Sequence, residues 1–215
     1  MEVDYSGEYR FLLLREDGSV RRFSNEGRKR EAAERPAGSP RRYATLQQAR
    51  LHIVRLANDL GLRPEAKLAE VKYHPYGDIG AVFATRPFGH RFKGRGNGMS
   101  LSIDPVDGTL LGFSERWDIE IERPEVAIAK EVAIRTAEER FRSHHRKHHN
   151  LHSGAYKAVS KVELLYVVPN PTFDSDYDYS QRTPRARLAY VVFFGADNVW
   201  IDAATGKVLG GEGYG

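Results

Sequence analysis

The stretch SLSIDPVDGTLLGF (Ser100–Phe113) is written again near the end of the chain as VWIDAATGKVLGG (Val199–Gly211). At a constant offset of 98 the two lines share Ile103/Ile201, Asp104/Asp202, Gly108/Gly206, Leu111/Leu209 and Gly112/Gly210. The shared residues have a physical reading as a turn. An Asp at the end of a strand accepts hydrogen bonds from backbone N–H groups two or three residues on. The Gly four residues later supplies the positive φ that brings the chain back. Ile before the Asp and Leu after the Gly are then the buried flanks. Asp104, Gly108, Asp202 and Gly206 are accordingly assigned to turns, not to a pair of catalytic carboxylates.

What precedes each line repeats as well. TLQQARLHIVRLANDLG opens with Thr45 and Gln48, the spacing of a capping box in which hydroxyl and amide each satisfy a free backbone donor. Leu46, Ala49, Ile53, Leu56, Ala57 and Leu60 fall on one helical stripe, and Gly61 ends the helix where positive φ costs little. The runs KLAEVKYH, IGAVFAT, MSLSID and TLLGF then read as strands; in MSLSID, Met99, Leu101 and Ile103 alternate with polar residues. The second round starts at PEVAIAKEVAIRTAEERF, with Pro124 placed for a first helical turn and Val126, Ala129, Ala133, Ala137 and Phe141 as the buried stripe. KVELLYVV, ARLAYVVFFGA, NVWID and KVLGG follow as strands. Helix start to hairpin Asp spans 59 residues in the first round and 78 in the second, the excess falling in SHHRKHHNLHSGAY and PNPTFDSDYDYSQRTP.

Ahead of both rounds, EYRFLLLREDGSVRRFSNE reads as a hairpin: Tyr9, Phe11 and Leu13 alternate, Asp17-Gly18 suits a tight turn, and Val20 and Phe23 return. Residues 25–42 hold no aliphatic side chain larger than Ala and contain Pro36 and Pro40, the composition of a linker or long loop with a helical turn inside it. The expected organisation is α+β: an N-terminal hairpin and basic linker over 1–42, then two helix-on-antiparallel-sheet units over 43–118 and 119–215. One continuous sheet shared by both units is the alternative architecture.

A helix, four strands, and a close of the form ID…DG.LLG or ID..TGKVLG resemble tandem repeats of the PepSY type. Such repeats occur in propeptides of secreted thermolysin-like metallopeptidases and in bacterial envelope and sporulation proteins. The resemblance covers roughly residues 43–212 and is densest in LAYVVFFGADNVWIDAATGKVLGG; residues 9–23 read as the closing hairpin of an earlier, incomplete copy. It implies a helix packed on a curved antiparallel sheet, a role in binding, inhibiting or chaperoning a partner polypeptide, and an exported or envelope location.

The 215 residues carry a net charge of +4 with 29% charged side chains, and no apolar run approaches the roughly 20 residues needed to span a bilayer. The opening MEVDYSGEYRFLLLRED lacks the basic-then-apolar profile of a signal peptide. The absence of Cys excludes disulfides, thiolate metal sites and Cys nucleophiles together. No HExxH, GxSxG, phosphate-binding loop or dinucleotide fingerprint is present; GRGNG (94–98) leads into a strand, not a helix. The expected function is therefore a non-enzymatic one that needs no cofactor, with an uncharacterised hydrolase as the enzymatic alternative.

Three unusual stretches remain. In RPFGHRFKGRGNG, Arg86, Arg91, Lys93 and Arg95 interleave with Phe88, His90 and Phe92, which reads as a long hairpin loop between IGAVFAT and MSLSID and suits an acidic protein surface or, in a rival reading, single-stranded nucleic acid. FDSDYDYS sets Asp174, Asp176, Asp178 and Ser180 at alternate positions, but Tyr179 and Arg185 stand where a calcium loop needs Gly and Glu, so it reads as a solvated acidic loop. Aromatic and Arg side chains anchor protein interfaces, which makes Phe88, Arg91, Phe92, Tyr177 and Tyr179 the candidate partner-binding residues. In SHHRKHHNLH, His144, His145, His148, His149 and His152 include pairs four apart, the spacing of helical metal ligands. Arg146 and Lys147 among them oppose a cation, so the stretch is expected to be an exposed helix end, not a metal site.

Overall fold

The computed structural model describes residues 2–5, 10–14, 20–36, 42–43, 45–75, 77–94, 96–148, 157–178 and 185–213, with backbone alone before Arg21 and at His148. The described residues are α+β and hold two sheets, so a single shared sheet is not formed. They divide into two compact units, one made of 1–85 and 97–117, the other of 86–96 and 118–215. The N-terminal residues thus belong to the first unit, and the 86–96 segment belongs to the second.

The first unit's sheet has seven strands: β1 (Glu2–Tyr5), β2 (Arg10–Leu14), β3 (Val20–Asn25), β4 (Lys67–Tyr73), β5 (Ile79–Ala84), β6 (Gly98–Ile103) and β7 (Leu110–Arg116). They lie in the order β1-β2-β3-β7-β6-β5-β4. Helix α2 (Leu46–Asp59) covers one face. Its start is fixed by the Thr45–Gln48 capping box, closed in both directions at 3.2 and 3.3 Å. Its end is fixed by Gly61 at φ 84, with Leu62 N–H reaching back to Ala57 C=O. Ala49, Ile53 and Ala57 are fully buried against Ile79, Ala81, Phe83, Met99, Leu101 and Ile103. Burying a side chain the size of Ile53 contributes about 2 kcal/mol.

The second unit has helix α3 (Lys130–His148) and strands β8 (Glu120–Ile121), β9 (Lys161–Val167), β10 (Arg185–Phe194), β11 (Asp197–Asp202) and β12 (Val208–Glu212). β9 to β12 form an antiparallel meander like β4 to β7, and Ala133, Ala137 and Phe141 of α3 pack on Val192, Phe194, Val199 and Ile201.

Two expectations need correction here. The helical turn expected within the 25–42 linker is a full nine-residue helix, α1 (Glu26–Glu34), capped by Asn25 Oδ1, which accepts from Arg28 N–H at 3.1 Å. Residues 124–129 are not helical: the N–H groups of Ala127 and Ile128 are drawn to the carbonyl of Ala203, which ties this stretch down outside the helix with Val126 at 53% exposure. The Asp17-Gly18 turn lies outside the described residues.

The two lines that opened the sequence fold into one hairpin geometry. Asp104 N–H donates to Thr109 C=O and Gly108 N–H to Asp104 C=O, at 2.9 and 2.8 Å; the Asp202–Lys207 and Gly206–Asp202 bonds are 2.8 and 2.9 Å. The carboxylates cap their own turns: Asp104 Oδ1 accepts from Val106 N–H, and Asp202 Oδ1 from Ala204 and Thr205 N–H, all at 2.8–2.9 Å. Gly108 and Gly206 have φ of 80° and 74°. One residue later both ladders bulge at the same place, Ile103 facing Leu110 and Ser102 facing Gly112, as Ile201 faces Val208 and Trp200 faces Gly210.

A third hairpin has that bulge too. Leu14 faces Val20 and Leu13 faces Arg22, and Val3 pairs Leu12 as Ala81 pairs Leu101, so β1–β3 run in the register of β5–β7. The two triplets meet antiparallel at β3 and β7, with Phe23 opposite Phe113.

Replacing Gly206 by Ala is expected to cost about 1 kcal/mol from the left-handed backbone alone, since the nearest atoms to the added Cβ are Ile128 carbons at 3.8 Å. Gly108→Ala should cost more, because there the Cβ lies 2.9 Å from Tyr43 Oη. Urea unfolding of the two variants checks this; no loss in either would contradict the turn geometry.

Candidate functional site

The segment between β5 and β6 is the most unusual surface of the second unit. Its neck is closed by Thr85 N–H and Oγ1 donating to Asn97 C=O at 3.1 and 3.2 Å. Beyond the neck the chain makes a single 3₁₀ turn, Pro87–Gly89, and then runs extended. At Phe92 it pairs in parallel with Tyr166 of β9: Tyr166 N–H donates to Arg91 C=O, and Lys93 N–H to Tyr166 C=O, both at 2.8 Å. Residues 91–93 are therefore a short added strand on the β9 edge.

The side chains of this strand are engaged. Arg91 meets Glu163 at 2.8 Å, and Lys93 meets Glu212 at 2.6 Å. Phe92 is half-buried, its ring 5.7 Å from that of the fully buried Tyr166. Gly96 is what admits that ring, since a Cβ there would lie 2.1 Å from Phe92 Cγ. Burial pushes the Tyr166 phenol above its usual range, with the nearby Glu122 charge adding to it, and its hydroxyl donates to Glu122 C=O. Burial also pushes the Glu212 carboxyl up, but hydrogen bonds from Lys93 and Asn198, with the Lys93 charge, outweigh it and hold the group below the ordinary value.

Phe88 stands apart. It sits in the turn at φ 51, a region that bulky side chains avoid, and is 61% exposed.

The described part of the acidic stretch is a loop with Asp174, Asp176 and Asp178 exposed, as expected, but it is pinned to the second unit. Phe173 is buried in the core of the second unit, and Asp176 N–H donates to Val208 C=O while its carboxylate accepts from Val208 N–H. Residues 170–176 thus strap the outer edge of β12, with Asn170 bonding Gly211 in both directions at 2.8 and 3.0 Å. Tyr177 packs half-buried on the cluster containing Trp200 and Leu209, so its ring serves that core; Tyr179 lies outside the described residues. Lys147 holds the Asp174 carboxyl below its usual range, at 2.7 Å.

His144 and His145 differ from the exposed helix end expected of the histidine stretch. His144 and His145 are half-buried on α3, with ring centroids 4.6 Å from Phe173 and 4.2 Å from Phe141. Packing on aromatic faces, not metal spacing, accounts for where they sit. His148 is the last residue of α3, and His149 and His152 lie outside the described residues. Among the described residues no group of three or more His, Asp or Glu is placed to hold a metal ion, and no helix is long and apolar enough to cross a membrane.

Asp104 and Asp202 stand in different units, each buried in its own turn. Sequence reasoning picked out Phe88, Arg91, Phe92 and Lys93 but missed Glu163, Tyr166 and Glu212, which hold Arg91, Phe92 and Lys93. Glu163 could have been noticed as the one acid inside the otherwise apolar run VELLYVV.

The chain matches no family model and no curated protein. Among solved structures it is similar to the Bacillus megaterium YpeB C-terminal domain. The likeness covers 99% of this chain and 86% of that one, at 14% identity and a TM-score of 0.42.

Replacing Lys93 by Met should destabilise the fold, and the loss should depend on pH. A carboxyl held low by its partner stabilises the folded chain above the unfolded value, near 4.5 for Glu212, and that contribution fades as pH falls through the lower folded value. The variant should therefore differ most from the parent at neutral pH and converge with it in acid. A difference that persists unchanged below that range would contradict the pairing.

Proposed function

We propose that this chain is a non-enzymatic, protein-binding accessory module of two tandem PepSY-type repeats, with β1–β3 as the closing strands of a further copy. The 86–93 segment is its partner-binding element and Phe88 the anchor. The observation that carries this reading is Phe88 itself. A non-glycine residue at positive φ costs about 1 kcal/mol or more, and a ring left 61% exposed returns little of that to the fold. Its neighbours Arg91, Phe92 and Lys93 are all held by β9 and β12 residues, so the turn is presented on a fixed base. A rigid exposed aromatic flanked by Arg86 and Arg91 is the composition of an interface anchor. The PepSY resemblance supplies the partner class, a peptidase or an envelope protein held in an inhibitory or chaperone-like complex, in an exported or envelope setting.

Single-stranded nucleic acid is the weaker reading. A stacking groove needs free cations beside exposed rings, whereas Arg91 and Lys93 face Glu163 and Glu212 and Phe92 is packed on Tyr166.

The test compares partners captured by the parent chain with those captured by Phe88→Ser and Phe92→Ser. Phe88→Ser should lose the partner while changing stability by less than about 0.5 kcal/mol. Phe92→Ser should cost more than about 1 kcal/mol in stability. Identical partner sets for the parent and Phe88→Ser would end the proposal, as would hydrolytic activity that survives purification to homogeneity.

A further inference from the structure

The β9 edge is only partly filled by residues 91–93. Tyr166 directs its N–H and C=O away from β10, toward Arg91 and Lys93. The two-residue period of a strand repeats that direction at Leu164 and Val162, while Val167, Leu165, Glu163 and Lys161 direct theirs to β10. The outward backbone groups of Leu164 and Val162 have no hydrogen-bonding partner among the described residues, because at His90 the chain turns away into Pro87–Gly89.

The charge along this edge is uneven. Among the described residues Glu163 is the single carboxylate for both Arg91, at 2.8 Å, and Lys161, at 3.0 Å, and each of those cations is 59% exposed. A lysine on an open edge ordinarily blocks indiscriminate strand pairing. Here it stands beside a second cation and leaves a net positive charge that an incoming acidic side chain would match.

We propose that the β9 edge from Val162 to Tyr166 is a strand-addition site for an extended, acidic polypeptide segment, and that residues 91–93 are the portion of that site filled within the chain. The inference deepens the protein-binding reading by naming the partner's conformation and charge. Backbone pairing supplies the affinity, and the Arg91/Lys161 excess supplies the preference for acid.

The probe is a seven-residue capped peptide alternating glutamate and valine, titrated into the ¹⁵N-labelled full chain. In the free chain the amides of Val162 and Leu164 should exchange with solvent at least tenfold faster than those of Glu163 and Leu165. Adding the peptide should protect them and shift their resonances. N-methylation of the peptide on alternate amides, which keeps every side chain, should weaken binding at least tenfold, and the lysine–valine counterpart should bind more weakly than the parent peptide. Leu164→Pro removes one outward donor, and the N-methyl series tests the same bond should that variant not fold. Unchanged binding of the N-methyl peptide, protection of Val162 and Leu164 in the free chain, or pairing of β9 with a second copy instead of the peptide would each overturn the proposal. A Phe88→Ser chain should still bind the peptide, so failure of the Phe88 anchor and failure of the edge site are read separately.

Discussion

The rest of this structure hangs on a buried carboxylate that caps its own turn. Asp104 and Asp202 are at most 1% exposed, and each accepts backbone N–H groups that the tight return would otherwise leave unpaired. An unpaired buried donor costs about 1–3 kcal/mol, so the Asp fixes where the strand stops and on which residue the chain reverses. The bulge that follows is set by that reversal. It keeps Ile103 and Ile201 facing the helix while Leu111 and Leu209, the extra residues of the bulges, are buried as well.

A buried carboxylate must itself be matched by a cation, and the two units meet that demand differently. Arg187, in the neighbouring strand β10, pairs Asp202 at 3.0 Å and Glu122 at 2.8 Å. Asp104 is paired by Arg35, at 2.6 Å, which lies just past the end of α1, and Arg28 within α1 reaches Asp107 at 2.6 Å. Hence a stretch that looks like a linker folds into a helix. The hydrogen bonds made by Arg35 to Asp104 and by Arg28 to Glu31 raise both guanidinium groups further above their already high values, so both cations stay charged across the ordinary pH range.

This division explains what could be read from the residues and what could not. The hairpins were legible because Asp and Gly at fixed spacing state a local backbone requirement, and α2 because Thr45, Gln48 and Gly61 mark both of its ends. The start of α3 was not legible: Pro124 suits a helix locally, but Ala203 C=O, distant in sequence, takes the Ala127 and Ile128 amides first. Of α1 only a turn was legible, because its buried surface is little more than Ala32 and the carboxylate its end serves, Asp104, is distant in sequence. The candidate site was half legible. Phe88, Arg91 and Phe92 stood out by composition, yet nothing local told the presented Phe88 from the packed Phe92. That difference is set by Tyr166 on β9 and by Gly96, which leaves room for the ring. The exposure of the acidic stretch was legible but its docking was not, since the partners of Asp176, Arg140 and Val208, lie on α3 and β12.

Native-state hydrogen exchange on Asp202→Ala, with the parent chain as reference, tests the central claim most directly. In the parent, Gly108 and Gly206, whose amides bond Asp104 and Asp202 carbonyls, should be protected alike, as should Val106 and Ala204. In the variant, Ala204 and Thr205 should lose protection and the β11–β12 ladder should weaken, while Val106 and Gly108 keep theirs. Full protection of Ala204 and Thr205 without the Asp202 carboxylate would contradict the account.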